Sequence, residues 1–173
     1  PGGFVFGFGQ DAVQGTNGDA PGFAWFQGLK FSLFDHRDRA HPVESWREVV
    51  GMRGSMSPLL ADHRAIATAD LGNGWQRIAI PVEIAAGTPS AEEPWMYQPW
   101  QQTGVALFEV SQTGAVRNFA VRAARQVSNG QGPLWHELGR TRAALYGDNV
   151  YLLAAGQWYV TSVNQTGAMS GPY

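Results

Sequence analysis

Residues 25–35, answered across a polar turn by residues 42–51, constrain the fold more than any other part of the chain. Phe31, Leu33 and Asp35 alternate with Lys30, Ser32 and Phe34. Side chains alternate between the two faces of a strand, so both faces here carry apolar area. Such a strand suits a sheet stacked between other sheets. The answering stretch alternates Glu44, Trp46, Glu48 and Val50 with Ser45, Arg47 and Val49, which reads as an amphipathic outer strand. Together they form a β-hairpin that opens a sheet.

The remaining chain repeats this grammar. Phe4, Phe6 and Phe8 mark a first short strand, closed by Gly9, and a Gly/Asn/Asp/Pro-rich loop runs over residues 10–22. Residues 64–69 and 75–84 read as two strands around Asn73-Gly74, a strong hairpin signal. Pro81 pushes the second of these towards an edge or a bulge. Residues 85–103 form the longest break and carry Pro89, Pro94 and Pro99. Further strands follow at 105–110, 115–123, 142–146, 150–155 and 157–163. The total is about ten or eleven strands and no convincing helix; residues 61–69 and 121–126 tolerate helix but lack caps.

Composition agrees with many short strands joined by turns. With 44% hydrophobic residues the chain is globular, and its 22 Gly and seven Trp fit a turn-rich β-protein. A net charge of −2 provides no strong field for nucleic acid or acidic lipid. The absence of cysteine excludes disulfides, thiolate metal sites and a cysteine nucleophile. No apolar run approaches the roughly 18 residues of a membrane-spanning helix. The chain begins at Pro1 without Met, which reads as a cut.

Two internal echoes give the strands a period. Trp25-Phe26-Gln27-Gly28 resembles the Trp100-to-Gly104 segment, and Val110-Ser111-Gln112-Thr113-Gly114-Ala115 returns as Val163-Asn164-Gln165-Thr166-Gly167-Ala168, 53 positions later. Repeats of about 40–50 residues, each worth about four strands, are the signature of propeller blades, whose faces are covered only by their neighbours.

The residues that carry this pattern resemble a known family. They are Gly28 to Asp35, Pro42-Val43-Glu44, Gly51 to Ser55, Ser57-Pro58, Asp62 to Ala65, Ile78 to Val82 and Leu145 to Asp148. In this order they are similar to secreted bacterial proteins with a C-terminal β-propeller domain, distantly WD40-like. The resemblance implies an all-β fold of four-stranded antiparallel blades, roughly 4–55, 59–125 and 140–173, forming the last two to three blades of a longer domain. The expectation is an incomplete ring within residues 1–173, secreted, periplasmic or at the cell surface. A second chain, or more of the same protein, would complete it.

No catalytic residue follows from the resemblance, and no cofactor or metal site is expected. The candidate ligand-binding residues are Trp95, Tyr97 and Trp100, in a loop of roughly 18 residues, where flat aromatics can stack on sugar rings or grip a peptide. In the alternative reading these side chains pack over a sheet edge. Asp62-His63-Arg64 would serve a general base only if a turn brought the pair together; otherwise it ties one blade to the next. Asp11, Asn17 and Asp19 offer oxygen ligands for Ca²⁺, but their spacing fits a solvated turn better. The function read from the sequence is an extracytoplasmic binding module. Two alternatives stand beside it: a hydrolase or lyase at the ring mouth, drawing on His63, Asp35, Asp62 or Asp70, and a structural surface or matrix protein.

Overall fold

The structure, a computed structural model, describes residues 3–15, 19–20, 22–88, 92–134 and 136–173. Among these residues the strands are β1 (Phe4–Gln14), β2 (Ala24–Asp35), β3 (Val43–Val50), β4 (Ala67–Gly72), β5 (Trp75–Ala85), β6 (Trp100–Ser111), β7 (Val116–Gln126), β8 (Arg142–Tyr146), β9 (Asn149–Ala154) and β10 (Gln157–Ser162). They form three antiparallel sheets in chain order, β1–β2–β3, β4–β5–β6–β7 and β8–β9–β10. The only helical pieces among the described residues are single 3₁₀ turns, and none of these is long and apolar enough to cross a membrane.

The second sheet is the middle layer. Along β5, Ile78, Ile80, Val82 and Ile84 face the first sheet and join Leu29, Phe31, Ala106 and Phe108 in one core. The alternate residue Ala79, with Val105 and Leu107 of β6, faces the third sheet and packs on Val150, Leu152, Ala154 and Tyr159. Both faces of β5 and β6 are therefore dry. The hairpin 25–50 does not hold this central place. Leu29, Phe31 and Leu33 are buried towards the middle sheet, but among the described residues no sheet covers the Lys30/Ser32/Phe34 face. Ser32 is buried there by its own neighbours: its hydroxyl donates to Glu44 at 2.6 Å, and Lys30 pairs with Glu44 at 2.9 Å.

The two interfaces of the middle sheet differ in chemistry. Towards the first sheet they are aromatic. Phe108 lies 5.4 Å from Phe6, 5.9 Å from Phe31, 6.1 Å from Trp46 and 5.6 Å from Phe119. Towards the third sheet small apolar residues alternate with buried charge. Arg77 and Glu109 sit opposite each other on β5 and β6, and the guanidinium donates to Glu109 Oε1 at 2.9 and 3.0 Å. Arg77 Nη1 also reaches the Gly147 carbonyl in the β8–β9 turn at 3.2 Å, which ties the two sheets. Arg117 closes the network on Glu109 Oε2 at 2.7 Å and stacks over Trp75. Burial pushes the Glu109 carboxyl up, but the hydrogen bonds from Arg117 and Arg77 outweigh it and hold the group below the usual carboxylate range. On the same face Glu83, fully buried, accepts from the Leu134 N–H and the Thr103 hydroxyl and holds residues 133–134 against the sheet. Burial pushes its carboxyl up in spite of these bonds.

Turn chemistry follows the residues. Asn73 (φ 52°) and Gly74 (φ 75°) both take left-handed conformations, as the hairpin reading requires. Pro81 lies in an inner strand, not at an edge. β4 pairs with β5 only as far as Ala79, and beyond that point the Ser57 hydroxyl donates to the Pro81 carbonyl while Met56 bridges Glu83. The missing proline N–H thus falls where the ladder to β4 has already ended.

Three boundaries differ from the sequence reading. β1 runs on to Gln14, because a register shift between Gln10 and Ala12 lets pairing with β2 continue. β6 starts at Trp100, so the break before it is shorter. The end of the chain is also more ordered than expected: the Ser170 N–H donates to the Val160 carbonyl at 2.8 Å, Val160 N–H returns the bond at 2.9 Å, and Tyr173 and Trp158 exchange another pair. This short segment lines the β10 edge through an isolated bridge, in the place of a fourth strand. The third sheet lies over the second in the same order, with β8 against β4 and β5, and Met169 N–H bonded to the Ala123 carbonyl of β7. Among the described residues no strand pairs with the far edge of β1 or of β3, and the three sheets do not close into a ring.

Two stability predictions follow from the interfaces. Phe108→Ala removes the ring shared by four aromatic neighbours and should cost about 3–5 kcal/mol in urea denaturation; a loss under 1 kcal/mol would mean that the interface repacks without it. Glu109→Gln should cost about 3 kcal/mol at pH 7, because it strands buried Arg77. The depressed Glu109 pKa adds stability that is present above the ordinary carboxylate range and lost as pH falls through the folded value. The wild type should therefore lose more stability between pH 7 and pH 3 than Glu109→Gln, measured by denaturation at both pH values.

Candidate functional site

The aromatic cluster is built where the chain passes from the first sheet to the second. After β3, residues 51–57 run along the end of β5. Met52 N–H donates to the Ala85 carbonyl at 2.8 Å, the Met56 and Glu83 backbones exchange two bonds, and the buried Ser55 hydroxyl accepts from Ala85 N–H at 3.0 Å. The crossing is close: a Cβ on Gly28 would lie 2.4 Å from the Gly51 carbonyl oxygen. Gly54 (φ 107°) brings this segment against Ala85 and the Gln98 carbonyl, where a side chain would crowd both.

Arg53 fastens the loop before β6 to this base. Its guanidinium lies between two rings, 4.8 Å from the Trp25 centroid and 4.3 Å from that of Tyr97. Its Nε donates to the Trp95 carbonyl at 2.8 Å and its Nη1 to the Phe26 carbonyl at 3.0 Å. The Gln98 N–H donates back to the Arg53 carbonyl, and the Gln27 amide donates to the Pro94 carbonyl. Trp25, the first ring of this stack, is held by its indole N–H on Asp19 and by an edge contact with Phe23. Cation–π stacking with two hydrogen bonds from one guanidinium is a stiff arrangement for a surface loop.

Of the three residues singled out in the sequence, Trp95 and Tyr97 lie on this loop and Trp100 is the first residue of β6. Tyr97 is 70% exposed and Trp95 42%, whereas Trp25 and Trp46 are half-buried; the loop rings are thus the more exposed pair, as their setting between prolines implies. Trp100 is half-buried, and its indole N–H is buried without an acceptor. Tyr97, Gln98, Pro99 and Trp100 line a cleft of about 720 Å³ with Gly54, Met56 and Ala85. Trp95 stands outside it, against Trp25 at 6.4 Å. Sequence reasoning missed Arg53, Met56 and Phe26. Nothing local in the sequence sets Arg53 apart, and only its position between two Trp/Tyr-bearing segments in space reveals its role. Met56 and Phe26 are exposed; Met56 lines the cleft, and Phe26 gives Arg53 its backbone carbonyl.

The acid and base candidates are dispersed. Asp62 caps a 3₁₀ turn through the Arg64 N–H and binds Arg142 at 2.7 Å, so it links the second sheet's approach to the third sheet. The Arg64 backbone bond first, with the arginine contacts, holds its carboxyl down. His63 is exposed and has no bond to that carboxylate. Hydrogen bonds from Arg37 hold the Asp35 carboxyl down to about 2, and Asp70 accepts from the Gly72 N–H. Asn17 lies outside the described residues, and Asp19 serves Trp25. Among the described residues no three His, Cys, Asp or Glu side chains converge as a metal site.

Arg53→Ala should free the loop without unfolding the sheets. The expected result is faster amide exchange at Met96 and Gln98 and a red shift of tryptophan emission, with a stability loss of about 1–2 kcal/mol. Unchanged exchange at Gln98 would show that the loop is held by its prolines alone.

No curated protein and no solved structure matches the chain. A family model described as "Beta propeller domain" matches residues 2–166, nearly the whole length. With three antiparallel sheets stacked face to face in chain order, the chain belongs to the beta propeller domain family.

Proposed function

We propose that the chain is an extracytoplasmic interaction module that holds its ligand with the aromatic cleft where the β3–β4 and β5–β6 connections meet. The observation that carries this reading is the cleft itself: about 720 Å³ of concave space walled by Tyr97, Trp100 and Met56, with Tyr97 braced from behind by Arg53. Exposed rings on a rigid mount lose little freedom on binding, which favours affinity. The ligand class is a protein segment or a carbohydrate, both of which present flat or extended surfaces to such rings. Placement outside the cytoplasm, in a secreted, periplasmic or surface protein, rests on the resemblance to secreted bacterial propeller proteins.

The same reading includes a partner for the sheets. The outer face of the third sheet carries Tyr151, Trp158, Val160 and Tyr173 around a wholly apolar groove, and Trp158 is 47% exposed. In the first sheet the aromatic contacts place β2 and β3 over β6 and β7, and among the described residues no strand pairs with the outer edge of β1 on the side of β4. An uncovered face and an unpaired edge are what a neighbouring blade and a fourth strand would fill. They would come from a second chain or from more of the same protein.

Glycan and peptide arrays probed with the wild type and with the variant Tyr97→Ala test the cleft. A ligand should appear whose binding falls by about tenfold or more in the variant, at an unchanged thermal midpoint. A ligand bound equally by both proteins would place recognition elsewhere.

A further inference from the structure

Between the outer part of the second sheet and the segment that follows β10 lies a polar pocket of about 280 Å³, separate from the aromatic cleft. Arg77, Glu109, Asn118, Arg122 and Asn164 supply its polar groups. Glu109 is fully engaged: Oε1 accepts twice from Arg77, and Oε2 accepts from Arg117 and Asn118. Arg122 is different. Among the described residues its side chain makes no hydrogen bond or ion pair, and its Nε is buried without an acceptor. Arg125 follows on the same face, since Arg122 pairs with Val105 and Arg125 with Thr103, and its Nε and Nη1 are also buried without acceptors. The acid whose field reaches Arg125 is Glu83, and that carboxylate is already bonded to Leu134 and Thr103.

Cations therefore outnumber available acceptors on this face. A guanidinium nitrogen that has given up water and gained no partner, as the Arg122 Nε has, is unfavourable, and more so in a pocket that Arg77 also lines. A planar fork of N–H donors is the group that best matches an oxyanion. We propose that this pocket is a binding site for a small free oxyanion, of carboxylate or phosphate/sulfate type, held by Arg122 with the side-chain amide of Asn164. The volume admits such an anion and is too small for a nucleotide or an oligosaccharide.

The test compares thermal midpoints of the wild type, Arg122→Met and Arg122→Lys in sodium chloride, acetate, sulfate and phosphate at equal ionic strength. A ligand that binds only the folded chain raises the midpoint by mass action. The wild type should gain about 5 °C over chloride in at least one oxyanion at saturating concentration. Acetate against phosphate and sulfate decides between the planar and the tetrahedral class. Arg122→Met should melt above the wild type in chloride, because the unpaired cation is gone, and should lose the oxyanion increment; Arg122→Lys should keep less than half of it. Equal increments in wild type and Arg122→Met would mark a general salt effect and overturn the proposal. So would the absence of any increment over chloride in the wild type.

Discussion

The double-sided burial of β5 and β6 is the constraint on which the other features depend. A strand with one wet face can tolerate a polar residue at every second position, but these two strands cannot. Ile78 to Ile84 must find a sheet on one side, and Ala79, Val105 and Leu107 must find one on the other. The small residues on the second face let the third sheet approach, and the branched and aromatic residues on the first face fill a wider gap against Phe31 and Trp46. The stacking order of the whole chain follows from this pair of unlike faces.

The polar groups of the middle sheet confirm how narrow that tolerance is. The fully buried charges on its third-sheet face are matched, Arg77 to Glu109 and Glu83 to a backbone N–H and a hydroxyl, whereas the half-buried Arg122 and Arg125 on that face are not. These pairs add less net stability than an apolar pair of the same size would. They do fix where the β8–β9 turn and residues 133–134 must sit, because a shift of either would leave a buried charge unpaired. The aromatic interface on the other side imposes no such register, and there the sequence relies on ring packing around Phe108.

Strand identity and turn type were legible because they depend on local rules. Residues 142–146 and Asn73-Gly74 could be read directly, since alternation and left-handed turn residues act over a few positions. What escaped was whatever depends on long-range pairing. Trp100 looks like a loop residue because three prolines precede it, yet pairing with Ala85 starts β6 there. The segment that bridges the β10 edge has no alternating pattern of its own, and Gly171-Pro172 argues against a strand. The repeat did contain the signal: residues 111–115 turn the chain from the third to the fourth strand of the middle sheet, and the matching 163–168 lie at the same corner of the third sheet. Had the echo been read as a structural equivalence, it would have predicted pairing after Ala168. Arg53 was illegible for a different reason, since its partners are 27 and 42 positions away.

The placement of the candidate cleft is a consequence of the same economy. The β4–β5, β8–β9 and β9–β10 connections are two-residue turns or close to it, so they offer no side chains beyond those the turn demands. The loop residues of the cleft sit where the chain must travel: between β3 and β4, as it leaves the first sheet for the second, and between β5 and β6, where the strands run past the end of β4. These two connections meet at Arg53. The first supplies the cation, Gly54 and Met56; the second supplies Trp95, Tyr97 and the approach to Trp100. A loop that carried exposed rings without such an anchor would collapse onto the sheet or remain mobile, and in either state it would present no defined surface. The guanidinium between Trp25 and Tyr97 prevents both, so the rigidity of the sheets extends to the side chains that face solvent.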